Sequence, residues 1–68
     1  MNGNLIKAKM TELGLTQTET AKSIGISTSR FNAKLNGTGG AEFSLPDIIA
    51  LKKLLGLNAQ QVDDIFLS

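Results

Sequence analysis

Sixty-eight residues with a formal net charge of +1 are enough for one domain, of a size that buries only about 60% of its unfolded surface. The chain has no cysteine and no histidine. That excludes disulfides and thiolate metal sites, and it removes the commonest metal ligand and the commonest general base at neutral pH. The cysteine-free composition fits the reducing cytoplasm, where the protein is expected to reside. No apolar run approaches the roughly 20 residues of a membrane-spanning helix, and the N-terminus has no signal-peptide pattern, so no membrane partner is expected.

The elements are predicted as five short helices and no strand. The first covers about residues 4–13, with Leu5, Ile6, Met10 and Leu13 at helical spacing and Gly14 placed to end it. Thr16 starts the second, and Glu19 three residues later completes a capping box. Ala21 and Ile24 form its inner face, and Gly25 closes it. Ser27 caps a third helix, roughly Thr28 to Leu35, whose inward residues are Phe31 and Leu35.

Asn36-Gly37 stops the third helix and opens a glycine-rich loop, NGTGGAEFS, read as flexible, with Phe43 anchoring its far end. Ser44 caps the fourth helix, with Pro46 in its first turn and Asp47 as the box partner. Ile48, Leu51, Leu54 and Leu55 supply its apolar face, and Gly56 ends it. Asn58 and Gln61 box the fifth helix, whose stripe is Val62, Ile65 and Phe66. Caps, terminal glycines and apolar periodicity agree, which makes the chain all-α.

Charge divides the chain. Residues 1–40 carry Lys7, Lys9, Lys22, Arg30 and Lys34 against Glu12 and Glu19, a sum of +3; residues 41–68 carry Lys52 and Lys53 against Glu42, Asp47, Asp63 and Asp64, a sum of −2. No enzyme is legible. Gly37-Thr38-Gly39-Gly40 has no Lys-Ser/Thr after it and no strand before it, so it is not a nucleotide loop. Asp63-Asp64 is read as a pair of solvated carboxylates on a helix surface, and Ser27, Thr28 and Ser29 have no histidine to activate them.

The stretch from Gln17 to Leu35 has the layout of a helix-turn-helix, with a small residue at Ala21, a glycine at Gly25 and apolar positions at Ile24, Ile26, Phe31 and Leu35. With Leu15-Thr16-Gln17, Ile24-Gly25-Ile26-Ser27 and Asn36-Gly37, the chain resembles the lambda-repressor-like family of phage and bacterial regulators, the Cro/CI or XRE type. The stretches KLNG (34–37) and EFSL (42–45) look like small phage Cro-type repressors within it. Two positions depart from the family pattern, which has apolar residues where this chain has Thr20 and Lys34.

The resemblance implies a compact five-helix lambda-repressor-like domain over residues 1–68. It implies a transcriptional regulator that reads the major groove of double-stranded DNA with the third helix. Base contacts then fall to Thr28, Ser29, Arg30, Asn32 and Ala33. Asn32 suits adenine, Arg30 suits guanine, and the methyl groups of Thr28 and Ala33 suit thymine. Phosphate contacts fall to Gln17 at the start of helix two and to Asn36, Gly37 and Thr38 after helix three, with Arg30 and Lys34 also in reach. The alternative for these side chains is plain polar surface, and for Asn36 a helix C-cap.

One such motif covers a half-site, so a homodimer on the operator is expected, with Leu67 and Phe66 as its interface; the alternative for Phe66 is closure of the monomer core. No cofactor, metal or small-molecule ligand is expected. A protein-interaction module on the same fold, such as an antitoxin or an inhibitor of another regulator, is the competing reading. A structural or assembly factor is a third, suited by the apolar Ile65-Phe66-Leu67.

Overall fold

A computed structural model describes residues 1–67 and contains α1 (Gly3–Glu12), α2 (Gln17–Ile24), α3 (Thr28–Asn36), α4 (Leu45–Leu55) and α5 (Ala59–Phe66). No strand occurs among the described residues. The helix starts are set locally. At α2, Thr16 Oγ1 accepts from the Glu19 backbone N–H (3.1 Å) and Glu19 Oε1 accepts from the Thr16 N–H (3.0 Å). Ser44 with Asp47 and Asn58 with Gln61 repeat this reciprocal pair at α4 and α5. Each box satisfies two of the orphan donors at a helix start. Ser27 Oγ caps α3 by accepting from the Arg30 N–H at 3.2 Å.

The helix ends are equally local. Gly25 takes φ +82°, and the Ile26 N–H reaches back to the Ala21 carbonyl at 3.0 Å. This left-handed step turns the chain from α2 into α3 within three residues.

Ile6, Met10, Ala21, Phe31, Leu35, Phe43, Leu51, Leu55, Leu57 and Ile65 form one core, with Ile24, Ile48, Leu54, Val62 and Phe66 partly buried against it. α2 packs on α3 and α4, and α1 on α3 and α5. The molecule measures 27 × 25 × 20 Å.

Several expectations are corrected. α1 starts one residue early and stops at Glu12, with Leu13 as its cap. Leu5 and Leu13 lie exposed, because Ile6 and Met10 alone define the inward face of α1. The glycine loop is not irregular throughout: Asn36 belongs to α3, and Thr38–Gly40 makes one 3-10 turn. Thr20, an apolar position in the resembling family, is fully buried here. Its hydroxyl donates to the Thr16 carbonyl at 2.8 Å, so no polar atom is left unmatched.

α1 approaches the α3 backbone closely at Gly3. A Cβ on Gly3 would stand 2.5 Å from the Leu35 carbonyl oxygen. Glycine to alanine inside a helix ordinarily stabilises by about 0.5–1 kcal/mol. Here Gly3→Ala is expected to destabilise instead, by about 1–3 kcal/mol, because α1 must move off α3. A thermal melt checks this, at roughly 4–8 °C per kcal/mol for a domain of this size. A melting temperature at or above the parent's would contradict the close crossing.

Candidate nucleic-acid interface

Burial of Phe31 and Leu35 fixes the rotation of α3 and thereby chooses its outward side. At about 100° per residue, Ser29 and Ala33 lie opposite that buried pair. Thr28, Ser29, Arg30 and Asn32 are exposed, and Ala33 is half-buried. Arg30 and Asn32 are two residues apart, hence about 200° apart around the helix, and occupy opposite flanks.

Asn32 lies on the α2 flank. Its Nδ2 donates to Gln17 Oε1 at 3.0 Å, and its Oδ1 accepts from Asn36 Nδ2 at 3.2 Å. Asn36 Nδ2 also reaches the Asn32 carbonyl at 3.0 Å. Lys7 Nζ of α1 donates to Asn36 Oδ1 at 3.4 Å. Gln17, Asn32, Asn36 and Lys7 thus form one polar row across α2, α3 and α1.

A carboxamide offers two N–H donors and two acceptor lone pairs. Within the row Asn32 uses one donor and one acceptor, which leaves one of each for the edge of a base. Gln17 uses its oxygen on Asn32, which leaves its NH2 as a donor for an anion. Lys7 carries the charge of the row. Sequence reasoning missed Lys7, since no local spacing relates it to a residue 29 positions away. The signal was Gly3: its close approach to Leu35 lays α1 across α3, and one turn later Lys7 arrives beside Asn36.

Gly37 and Thr38 are exposed at the end of α3, Gly37 with φ +68°. Lys34, expected at phosphate, is elsewhere. Its Nζ lies 2.6 Å from Asp47 Oδ2, with the two side chains only 12% and 8% exposed. It sits on the flank of the buried side of α3. The N-terminus of α2 carries the expected capping box. The box uses the backbone N–H of Glu19 and sets a carboxylate there, which leaves the Gln17 and Thr18 N–H groups without an intrahelical acceptor. The Thr16 backbone and then hydroxyl hydrogen bonds hold the Glu19 carboxyl below its ordinary value.

Among the described residues, no group of three or more acidic, histidine or cysteine side chains is placed to hold a metal ion. No helix there is long and apolar enough to cross a membrane. Comparison with known proteins yields no relative: no family model, curated protein or solved structure matches the chain.

Burial pushes the Asp47 carboxyl up, but the hydrogen bond from Lys34, the Ser44 backbone and hydroxyl bonds and the Lys34 charge outweigh it and hold Asp47 below the carboxylate range. The unfolded group titrates near 3.9. The pair's stability is therefore fully present above about pH 4 and is lost as pH falls through the lower folded value. Asp47→Asn is expected to cost about 3–5 kcal/mol at neutral pH, because it leaves the Lys34 ammonium buried without an anion. Denaturant unfolding from pH 7 to pH 2 should show the parent and the variant converging below about pH 4. Parallel curves over that range would exclude Asp47 as the titrating group.

Proposed function

We propose that this chain is a sequence-specific double-stranded DNA-binding regulator of Cro-type repressor character, with α2 and α3 as a helix-turn-helix and α3 in the major groove. The observation that carries the reading is the polar row, which holds the exposed Asn32 on the α2 flank of α3 with one donor and one acceptor to spare. That is the pattern a bidentate contact to adenine N7 and N6 requires. The donors around it suit the backbone: Gln17, the Gly37–Thr38 segment and Lys7 border the same face, and phosphate contacts position without reading sequence. The protein acts in the cytoplasm, by occupying an operator.

A single copy covers one half-site, and we assign it a two-fold partner one helical turn along the duplex. Phe66 packs on Phe43 at a ring separation of 6.2 Å and so closes the monomer. Leu67, 75% exposed beyond α5, is left as the contact between copies. A protein-interaction module is the competing reading, and exposed Leu45 and Ile49, one turn apart on α4, favour it.

Salt titration on matched and scrambled duplexes tests the DNA reading. Asn32→Ala should weaken the best site by about 1–3 kcal/mol and leave non-specific binding nearly intact. Gln17→Ala should weaken all duplexes alike without changing the salt slope, because the lost group is neutral. Lys7→Ala should lower the slope of log affinity against log salt by about one unit. Arg30→Ala does the same if Arg30 meets phosphate, and relaxes selectivity at one base pair if it reads guanine. Parental behaviour of Asn32→Ala on both duplexes would remove α3 from base reading. No duplex binding by the parent at low salt would favour the interaction module.

A second measurement addresses the dimer. Leu67→Asp should flatten the dependence of operator occupancy on protein concentration and lower the affinity. Unchanged affinity and steepness would place the interface elsewhere.

A further inference from the structure

The segment between α3 and α4 is the least constrained stretch of backbone in the molecule by composition. Gly37, Gly39 and Gly40 all have positive φ. Its internal order consists of two backbone bonds, Gly40 N–H to the Gly37 carbonyl at 3.3 Å and Ala41 N–H to the Thr38 carbonyl at 3.1 Å. Asn36, the last residue of α3 and a member of the polar row, precedes it, and Gly37 and Thr38 lie at its start.

The Lys34–Asp47 pair spans this segment. Lys34 is in the last turns of α3 and Asp47 in the first turn of α4, thirteen residues on. Asp47 Oδ2 also accepts from the Ser44 N–H at 3.0 Å, so one oxygen fixes both the start of α4 and the end of α3. Phe43, buried just before Ser44, seats the segment on the core.

We infer that Lys34 and Asp47 are a positioning pair: they staple the two ends of the glycine segment, hold Gly37–Thr38 at a fixed place beside the polar row, and withdraw the Lys34 charge from phosphate. The inference rests on the DNA reading for its consequence, while the staple itself rests on the geometry of the free protein. Stability alone does not call for a charged pair there. Replacing a buried ion pair by neutral or apolar groups of similar size is often neutral or stabilising, whereas removing one partner strands the other. A pair that only holds the fold together is therefore dispensable as a pair; a pair that positions the segment is not.

The test compares the parent with Lys34→Met, Asp47→Asn, Lys34→Met/Asp47→Asn and Lys34→Arg. Three readouts are followed: thermal melts, amide hydrogen exchange at Gly40 and Ala41 relative to Ile26, and duplex binding across a salt series. The double variant should regain the parent's melting temperature lost in either single variant. Its Gly40 and Ala41 amides should nonetheless exchange about tenfold faster. Its affinity for matched and scrambled duplexes should fall alike, with the salt slope unchanged. Lys34→Arg keeps charge and donor and should restore parental exchange and affinity.

Parental exchange at Gly40 and Ala41 in the double variant would refute the staple, whatever happens with DNA. Faster exchange with parental duplex affinity would refute the positioning role. A slope lowered by about one unit in Lys34→Met would overturn the inference in favour of a phosphate contact. If the double variant does not fold, Lys34→Gln, too short to span to Asp47, carries the same exchange and binding criteria. If the parent binds no duplex, the DNA reading fails while the exchange arm still decides the staple.

Discussion

All three phenylalanines of the chain stand in one row, and the outer face of the molecule depends on it. Phe31, fully buried in α3, meets Phe43 with ring centres 5.7 Å apart, and Phe43 meets the edge of Phe66 at 6.2 Å. The row joins α3, the far end of the glycine segment and the last turn of α5. Each aromatic pair contributes about 0.5–1.5 kcal/mol beyond area burial. That is a large share for a domain whose total stability is of the order of 5–10 kcal/mol. Turning α3 by one residue would rotate it by about 100° and expel Phe31 from the core. The outward positions of Ser29 and Ala33 and the flank position of Asn32 are therefore a consequence of what the inward side buries.

Two polar residues stand where apolar ones belong in the resembling family, and the fold treats them differently. Thr20 is short enough to turn its hydroxyl back onto its own helix, and the Thr16 carbonyl satisfies it at 2.8 Å. Its methyl group then packs like a small hydrophobe. Lys34 cannot be satisfied within α3. Its ammonium leaves the helix and meets Asp47, a residue already placed for another purpose as the box partner of Ser44. One carboxylate oxygen thus serves two donors, and among the described residues no buried side-chain polar atom is left unmatched. A helix cap, a local device, has become a tertiary contact.

That distinction marks what was legible in the sequence. Thr16 with Glu19, Ser44 with Asp47, and Asn58 with Gln61 each bind across three residues, so spacing alone reveals them. Gly25 and Gly56 end their helices for a reason equally local, a left-handed backbone. The five helices and most of the core followed from these marks and from periodicity. What periodicity does not decide is how wide the buried stripe is. Leu5 and Leu13 fit the spacing of α1 yet lie outside, because α1 meets its neighbours along a narrow line through Gly3, Ile6 and Met10. Leu57, between Gly56 and the Asn58 cap, belongs to no helical period and is core, its N–H tied back to the Lys52 carbonyl at 3.0 Å. Lys34 and Lys7 find partners 13 and 29 residues away, and such partners follow only from how helices cross.

On the DNA reading, the charge of the site limits how affinity arises. Lys34 is withdrawn into its pair, and Lys22 lies about 140° around α2 from Gln17, away from the row. Lys7 and Arg30 remain, and Glu19 adds a carboxylate at the start of α2. Two cations release few counterions, so one copy gains little from the salt-dependent attraction that gives most DNA-binding proteins their non-specific affinity. The neutral donors of Gln17, Asn32 and the Gly37–Thr38 backbone are directional and shorter in range, and they contribute only once the duplex is seated. Such a surface discriminates well relative to how tightly it holds. Occupancy of an operator then requires the second half-site, because pairing two copies doubles the directional contacts without adding charge to either. A weakly basic chain and a two-fold site are in this sense a single physical requirement.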